Sequence, residues 1–219
     1  MVSNMGFQIP DSGNFQAFAI IIDINSFTSM VSRADNDCTV AQYVRDVLLG
    51  AIESVENSSG HIVSFMGDAF LALLQDPIKV MECCVGISKS IDRSCEHISN
   101  AQADCNNAWD YAPGGPSVKI TIEYGEICQS TIESNFLGSQ KLFIGSAINY
   151  AARIGSAGEG NRCLLGPVAA KIIQNYYELL PARAVEGKAG ESKYIYYQLD
   201  LGDIWREGSP EQLEESYWG

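Results

Sequence analysis

The segment Phe15–Ile22 constrains this chain more than any other: a short, mostly apolar and partly β-branched run that stops at Asp23. It falls well short of the ~20 apolar residues that a membrane-spanning helix requires. An apolar run of this length suits a strand covered on both faces, and such a strand delivers Asp23 to its end. A core large enough to cover it is available, because a chain of 219 residues buries roughly 70% of its unfolded surface. Hydrophobic residues make up 46% and charged residues 19%, which is a globular balance. With 14 Lys+Arg against 27 Asp+Glu the net charge is −13, which argues against nucleic-acid binding because phosphate neutralisation needs a basic face. The first residues lack the basic and long apolar regions of a secretory signal, so a cytoplasmic location is expected, with no membrane association. Seven Cys without a CxxC pair indicate neither a disulfide framework nor a zinc site.

The rest of the chain alternates between helical and strand patterns. Residues 1–14 form a polar leader, 15–200 the folded body, 100–116 a surface loop or insertion rich in Asn, Asp, Gly and Pro, and 201–219 an acidic tail. Val40, Val44, Val47, Leu48, Ile52 and Val55 recur at helical spacing until Ser58-Ser59-Gly60. Ile62–Met66 and Phe70–Leu74 read as a hairpin with Asp68 at its tip. A second helix is expected from Pro77 to about Ser99. Val118–Tyr124 alternates apolar and polar residues, and Gly125–Ser130 is read as its hairpin partner after a turn at Gly125. Gly145 opens a helix that Gly158 and Gly160 stop; a strand at Cys163–Leu165, a helix at Val168–Tyr177 and a strand at Tyr194–Leu199 follow. Strand, helix, hairpin, helix, strand is the order of an α+β, ferredoxin-like βαββαβ sandwich, with the helices on one face of an antiparallel sheet.

Two carboxylates stand at corners of that sheet, Asp23 and Asp68. Convergence of the two would let them hold a divalent cation such as Mg²⁺, which is gripped by one or two carboxylates plus phosphate oxygens; the bland alternative is that Asp68 satisfies its own turn. Asn149 and Arg153, four apart, share a helix face. An Arg fork can meet charge on a transferring phosphate and an Asn amide can orient a sugar, whereas a solvated helix face with a surface Arg is the ordinary alternative.

Three segments, Phe18 to Thr28, Gly60 to Phe70 and Ile144 to Arg153, resemble in order and spacing the class III nucleotidyl cyclases, and the likeness covers most of residues 15–200. The resemblance implies a homodimeric catalytic domain with two active sites at the interface. It implies that Asp23, Ile24 and Asp68 of one subunit hold two Mg²⁺ or Mn²⁺ ions, while Asn149 and Arg153 arrive from the other. The reaction implied is attack of a ribose 3′-hydroxyl on the α-phosphate of a nucleoside triphosphate, giving a 3′,5′-cyclic nucleotide and pyrophosphate. The turn Ile24, Asn25, Ser26, Phe27 would offer backbone N–H groups to the phosphates.

Adenylate cyclases of this family usually place Lys four residues before the second metal-binding Asp and Asp or Thr seven before the Asn; guanylate cyclases place Glu and Cys there. This chain has Ser64 and Leu142. Neither purine readout is present, since Leu142 offers no hydrogen bond. The chain is in this respect similar to the pyrimidine cyclases of bacterial anti-phage Pycsar systems, which make cyclic UMP or cyclic CMP for a downstream effector. UTP or CTP is the expected substrate, with adenylate or guanylate cyclase activity in ordinary signalling as the alternative, and an inactive nucleotide- or protein-binding module as the second. Tyr43 and Arg45 are candidate base or sugar contacts, against packing at a dimer seam and a solvated charge. Lys188 is a candidate triphosphate contact, against a plain surface Lys.

Overall fold

Residues Ala17 to Ile22 are all buried, as the apolar run demands, because the strand that carries them, β1 (Gly13–Ile24), has neighbours on both edges and helices on both faces. In the computed structural model, which describes residues 7–25, 27–33, 37–102, 117–136, 138–157, 162–188 and 191–200, β1 lies between β3 (Ala69–Leu74) and β4 (Val118–Ser134) and runs antiparallel to both. Adding β2 (His61–Met66), β6 (Arg162–Leu165), β7 (Leu180–Val185) and β8 (Tyr194–Asp200) gives the order β2-β3-β1-β4-β6-β8-β7, and β5 (Gly138–Gly145) pairs with the far part of β4. The helix α2 (Asp37–Asn57) connects β1 to the β2–β3 hairpin, and α3 (Pro77–Gln102) connects that hairpin to β4. The βαββαβ sandwich expected from the sequence is therefore present.

Alternation along β1 builds two cores. Phe18, Ile20, Ile22 and Ile24 join Val40, Tyr43, Val47 and Val55 of α2 and Val80, Met81, Cys84 and Ile87 of α3. Fully burying one such Ile or Phe is worth about 1.5–3 kcal/mol, so this layer carries most of the fold's stability. On the opposite face Ala17, Ala19 and Ile21 lie beneath Ala147 and Ala151 of α4 (Ser146–Ile154). Helices thus cover both faces, which corrects the expectation of one. The small residues on β1 and α4 are what permit it, since they let a helix lie close to the sheet.

Further differences have local causes. The turn expected at Gly125 does not exist: β4 runs through it in unbroken register with β1, Gly125 opposite Ala17. Glycine stands there because α4 approaches, and a Cβ on Gly125 would lie 3.3 Å from that of Ala147. The true partner of the far half of β4 is β5, whose turn comes after Ser134. A short helix α1 (Phe27–Arg33), strands β5 and β7, and an end of α4 at Ile154, before a 3₁₀ turn at Gly155–Ala157, were also not expected; α5 (Pro167–Ile173) is shorter than its apolar pattern. The expected loop beyond Gln102 and the acidic tail lie outside the described residues, as does the leader up to residue 6. Cys83, Cys84, Cys128 and Cys163 are free thiols, and all but Cys128 are buried. Among the described residues no helix is long and apolar enough to cross a membrane.

One buried charge joins the layers. Glu123 on β4 is 4% exposed, and its Oε1 accepts the backbone N–H of Tyr124 at 2.7 Å and of Ala169 in α5 at 2.8 Å. Burial pushes its carboxyl above the ordinary value, while those N–H groups pull it partly back. Removing the side chain strands buried donors, so Glu123→Ala is expected to cost about 2 kcal/mol and several degrees in Tm. Because the folded state favours the protonated form, Glu123 supports the fold most below its unfolded pKa and loses part of that support as pH rises through the raised folded value. The Tm deficit of Glu123→Ala should therefore widen as pH falls from 7 towards 4.5, and thermal melts across that range check it.

Candidate active site

Strand pairing brings Asp23 and Asp68 together. Asp23 lies opposite Ala69, the first residue of β3, so the hairpin tip at Asp68 sits beside the end of β1; the Ile24 N–H donates to the Asp68 carbonyl at 3.3 Å. Both carboxylates are half-buried and close enough for the charge of one to act on the other. Burial pushes the Asp68 carboxyl above its ordinary value, its own backbone N–H pulls it partly back, and the facing Asp23 carboxylate raises it again. Two hard-oxygen ligands that repel each other across an open corner fit a divalent cation, whose charge would relieve the repulsion. Among the described residues no third His, Cys, Asp or Glu joins them, so further ligands must come from backbone, water or substrate.

The turn after Asp23 is less generous than expected. The N–H groups of Ile24 and Asn25 are committed to the carbonyls of Asp68 and Ser117, the latter at 3.0 Å. The phosphate cradle expected over Ile24, Asn25, Ser26 and Phe27 therefore narrows to the start of α1 at Phe27; Ser26 lies outside the described residues. The Asn25 side-chain Nδ2 is buried with no hydrogen-bond partner among the described residues.

Asn149 and Arg153 both sit on α4, away from its buried Ala147–Ala151–Ile154 stripe. Asn149 is exposed, whereas Arg153 is half-buried and donates from Nη2 to Glu191 Oε1 at 2.8 Å. Lys188 lies in the loop before β8, where its backbone N–H donates to Glu191 Oε2 at 3.2 Å. The structure thus brings the Lys188 loop to Arg153, and within one chain no hydrogen bond or ion pair among the described residues joins Asn149 or Arg153 to Asp23 or Asp68.

Tyr43 and Arg45 take packing and solvated roles, the first in the core where a dimer seam was the alternative and the second as a surface charge. Tyr43 is 1% exposed in the core beneath α2, because it falls on the same helical stripe as Val40 and Val47, and cannot meet a base there. Arg45 projects to solvent and pairs with its neighbour Asp46 at 2.9 Å. Ser64 is exposed on β2 and Leu142 half-buried on β5, opposite Ser130. A register shift between Ile62 and Ser64 turns Ser64 to pair with Leu71, a residue of the α4 face. Their chain neighbours, Ile62, Val63, Lys141 and Phe143, together with Gln8, Ile9 and His61, line an open groove of about 420 Å³. His61 Nε2 anchors one wall by a 2.6 Å bond to the Phe7 carbonyl.

Sequence reasoning missed Lys119, which stands directly opposite Asp23 on β4 with its Nζ 3.1 Å from Asp23 Oδ2. The alternation of Val118–Tyr124 placed Lys119 on the polar side of its strand; only the β1–β4 register could tie it to Asp23. Glu191 and Gln8 carried no signal at all.

No protein-family model matches the chain, and no curated protein matches it in sequence. Solved structures do share its fold. The guanylyl cyclase Cya2 superposes with a TM-score of 0.72 at 16% identity, over 86% of this chain and 93% of that one. The adenylyl cyclase CyaB from P. aeruginosa gives 0.61 at 17%, over 87% and 97%. A non-canonical dimeric guanylyl cyclase domain of the RhoGC fusion protein from the aquatic fungus Blastocladiella emersonii gives 0.61 at 16%, over 85% and 97%. The chain has the fold of the adenylyl and guanylyl cyclase catalytic domains.

Proposed function

We propose that this protein is a nucleotidyl cyclase that converts a nucleoside triphosphate, UTP or CTP, into a 3′,5′-cyclic nucleotide and pyrophosphate at composite sites in a homodimer. The observation that carries this reading is the meeting of Asp23 and Asp68 at one corner of a cyclase-type sheet. Divalent ions held there, Mg²⁺ or Mn²⁺, supply a lowered pKa for the ribose 3′-hydroxyl and charge neutralisation for the triphosphate.

The chain's own groups do the rest. Asp23 and Asp68 hold the ions, and Lys119, now paired with Asp23, is the cation nearest to them on the neighbouring strand. Asn149 of the second protomer orients the ribose through its exposed amide. Arg153 meets the charge that develops on the α-phosphoryl oxygens, and Lys188 adds a point charge from the adjoining loop. Attack and departure of pyrophosphate occur on the substrate itself, so no protein nucleophile is required. At a net charge of −13 a bare polyphosphate would be repelled, which makes the bound ions and these cations necessary for encounter as well as for chemistry.

Pyrimidine use is supported by Ser64 and Leu142, which offer no bidentate purine readout, beside a groove whose polar lining is limited to Gln8, His61 and Lys141. On that reading the product serves as an anti-phage second messenger for a cyclic-nucleotide-responsive effector. The second reading, adenylate or guanylate cyclase in ordinary signalling, is favoured by the solved structures of like fold, which are adenylyl and guanylyl cyclases. Equimolar ATP, GTP, CTP and UTP offered together with Mn²⁺, with products identified by mass, separate the two. Cyclic UMP or cyclic CMP is expected to dominate; cyclic AMP or cyclic GMP alone would move the assignment to the second reading and leave the chemistry in place.

A further inference from the structure

The carboxylate of Glu191 gathers the groups that the proposed chemistry needs at one end of α4. Its Oε1 accepts from Arg153 Nη2 at 2.8 Å, and its Oε2 accepts from the Lys188 backbone N–H at 3.2 Å and from the Tyr194 hydroxyl at 3.3 Å. The Glu191 N–H closes the loop on the Lys188 carbonyl at 2.8 Å. The chain is shaped for this arrangement: a Cβ on Gly187 would run into the Ser192 carbonyl oxygen and lie 2.7 Å from the Glu191 Cβ. The next residues are pinned to α4 as well, because the Tyr150 hydroxyl donates to the Ile195 carbonyl and accepts the Ile195 N–H, both at 3.0 Å. The rings of Tyr150 and Tyr194 meet edge to face at 5.1 Å.

A guanidinium is a rigid planar fork, so fixing one nitrogen against a charged oxygen restricts the plane of the whole group. Only Nη2 of Arg153 is bound by Glu191, and its Nε is buried with no partner among the described residues. One edge of the fork is therefore held, while no hydrogen bond among the described residues engages Nη1, which is left to meet an anion. We propose that Glu191 is a positioning residue: it sets the plane of Arg153 and ties the Lys188 loop to α4, so that both cations meet one triphosphate in fixed relation. This rests on the cyclase reading of Arg153 and goes beyond it by naming the group that makes the Arg effective. Misplacement of a reacting or stabilising group by about 1 Å can cost on the order of 10²-fold in rate, which sets the scale of the effect.

The test uses the full chain as wild type, Glu191→Ala, Glu191→Gln, Arg153→Ala and the double variant Arg153→Ala/Glu191→Ala. Each is assayed for kcat and KM with Mn²⁺ and whichever of the four common triphosphates the wild type converts, and melted for Tm. Glu191→Ala is expected to lower kcat by about 10–100-fold with KM changed far less, and to lower it by a clearly smaller factor, left to the Lys188 loop alone, when Arg153 is already Ala. Glu191→Gln keeps an acceptor of the same length and should recover most of the loss; it also carries the test if Glu191→Ala does not fold. A kcat for Glu191→Ala within twofold of wild type, or above it, would overturn the positioning role, the latter by making Glu191 a competitor for Arg153. Equal losses in the wild-type and Arg153→Ala backgrounds would overturn it too, by showing a merely structural effect. Full activity of Arg153→Ala strikes at the cyclase reading itself, whereas a dead Arg153→Ala beside an unimpaired Glu191→Ala strikes only at this inference.

Discussion

Asp23→Ala is expected to abolish turnover, by at least about 10³-fold, while leaving the protein folded. The loss follows from the ligand set: among the described residues two carboxylates form the corner, and ion stabilisation of transition-state charge is worth several kcal/mol, with each 1.36 kcal/mol a factor of ten. The fold should survive because Asp23 is not part of the core. Its side chain is 34% exposed, and its pairing with Lys119 is of the partly solvated kind that contributes about 0–1 kcal/mol. Turnover with Mn²⁺, Mn²⁺ affinity by calorimetry and a thermal melt together check this. Retention of a tenth of wild-type activity in a variant that no longer binds the metal would remove the two-carboxylate site from the mechanism.

Arg153→Ala is expected to lower kcat by about 10²-fold or more with metal binding unchanged, since loss of one preorganised charge-stabilising donor costs that much in other acyl- and phosphoryl-transfer sites. Metal binding should be indifferent because Arg153 stands on α4 and makes no described contact with Asp23 or Asp68. Isothermal titration with Mn²⁺ and steady-state rates, measured on the same preparation, separate the two effects. Stability should fall only slightly: Arg153 and Glu191 form a pair with side chains 28% and 32% exposed, and the core of α4 is its alanine stripe.

The path from sequence to this site was legible where periodicity and chemistry coincided. The apolar run before Asp23, the hairpin tip at Asp68 and the four-residue spacing of Asn149 and Arg153 all follow from the chain itself, and the structure places the first two side by side. Tyr43, a candidate base contact weighed against packing at a dimer seam, packs in the core, on the helical stripe it shares with Val40 and Val47. Gly125 was misjudged because a glycine inside alternating residues signals either a turn or a close approach, and only α4, remote in sequence, decides between them. Lys119 and Glu191 lie beyond local patterns altogether: one depends on the β1–β4 register and the other on a loop folding back to a helix about forty residues earlier in the chain.

The central claim is that acidic groups of one protomer and the α4 pair of its twin act on the same triphosphate, and mixing two dead variants tests it most directly. Asp23→Ala and Arg153→Ala homodimers each lack one group at both sites, but a heterodimer of the two carries one site with every group intact. Random reassortment of equal amounts makes about half the dimers hetero, so total activity should rise to about a quarter of the wild-type value. If differently tagged copies are seen to pair and the rate stays at the sum of the two parents, the site is not shared between protomers and the account fails.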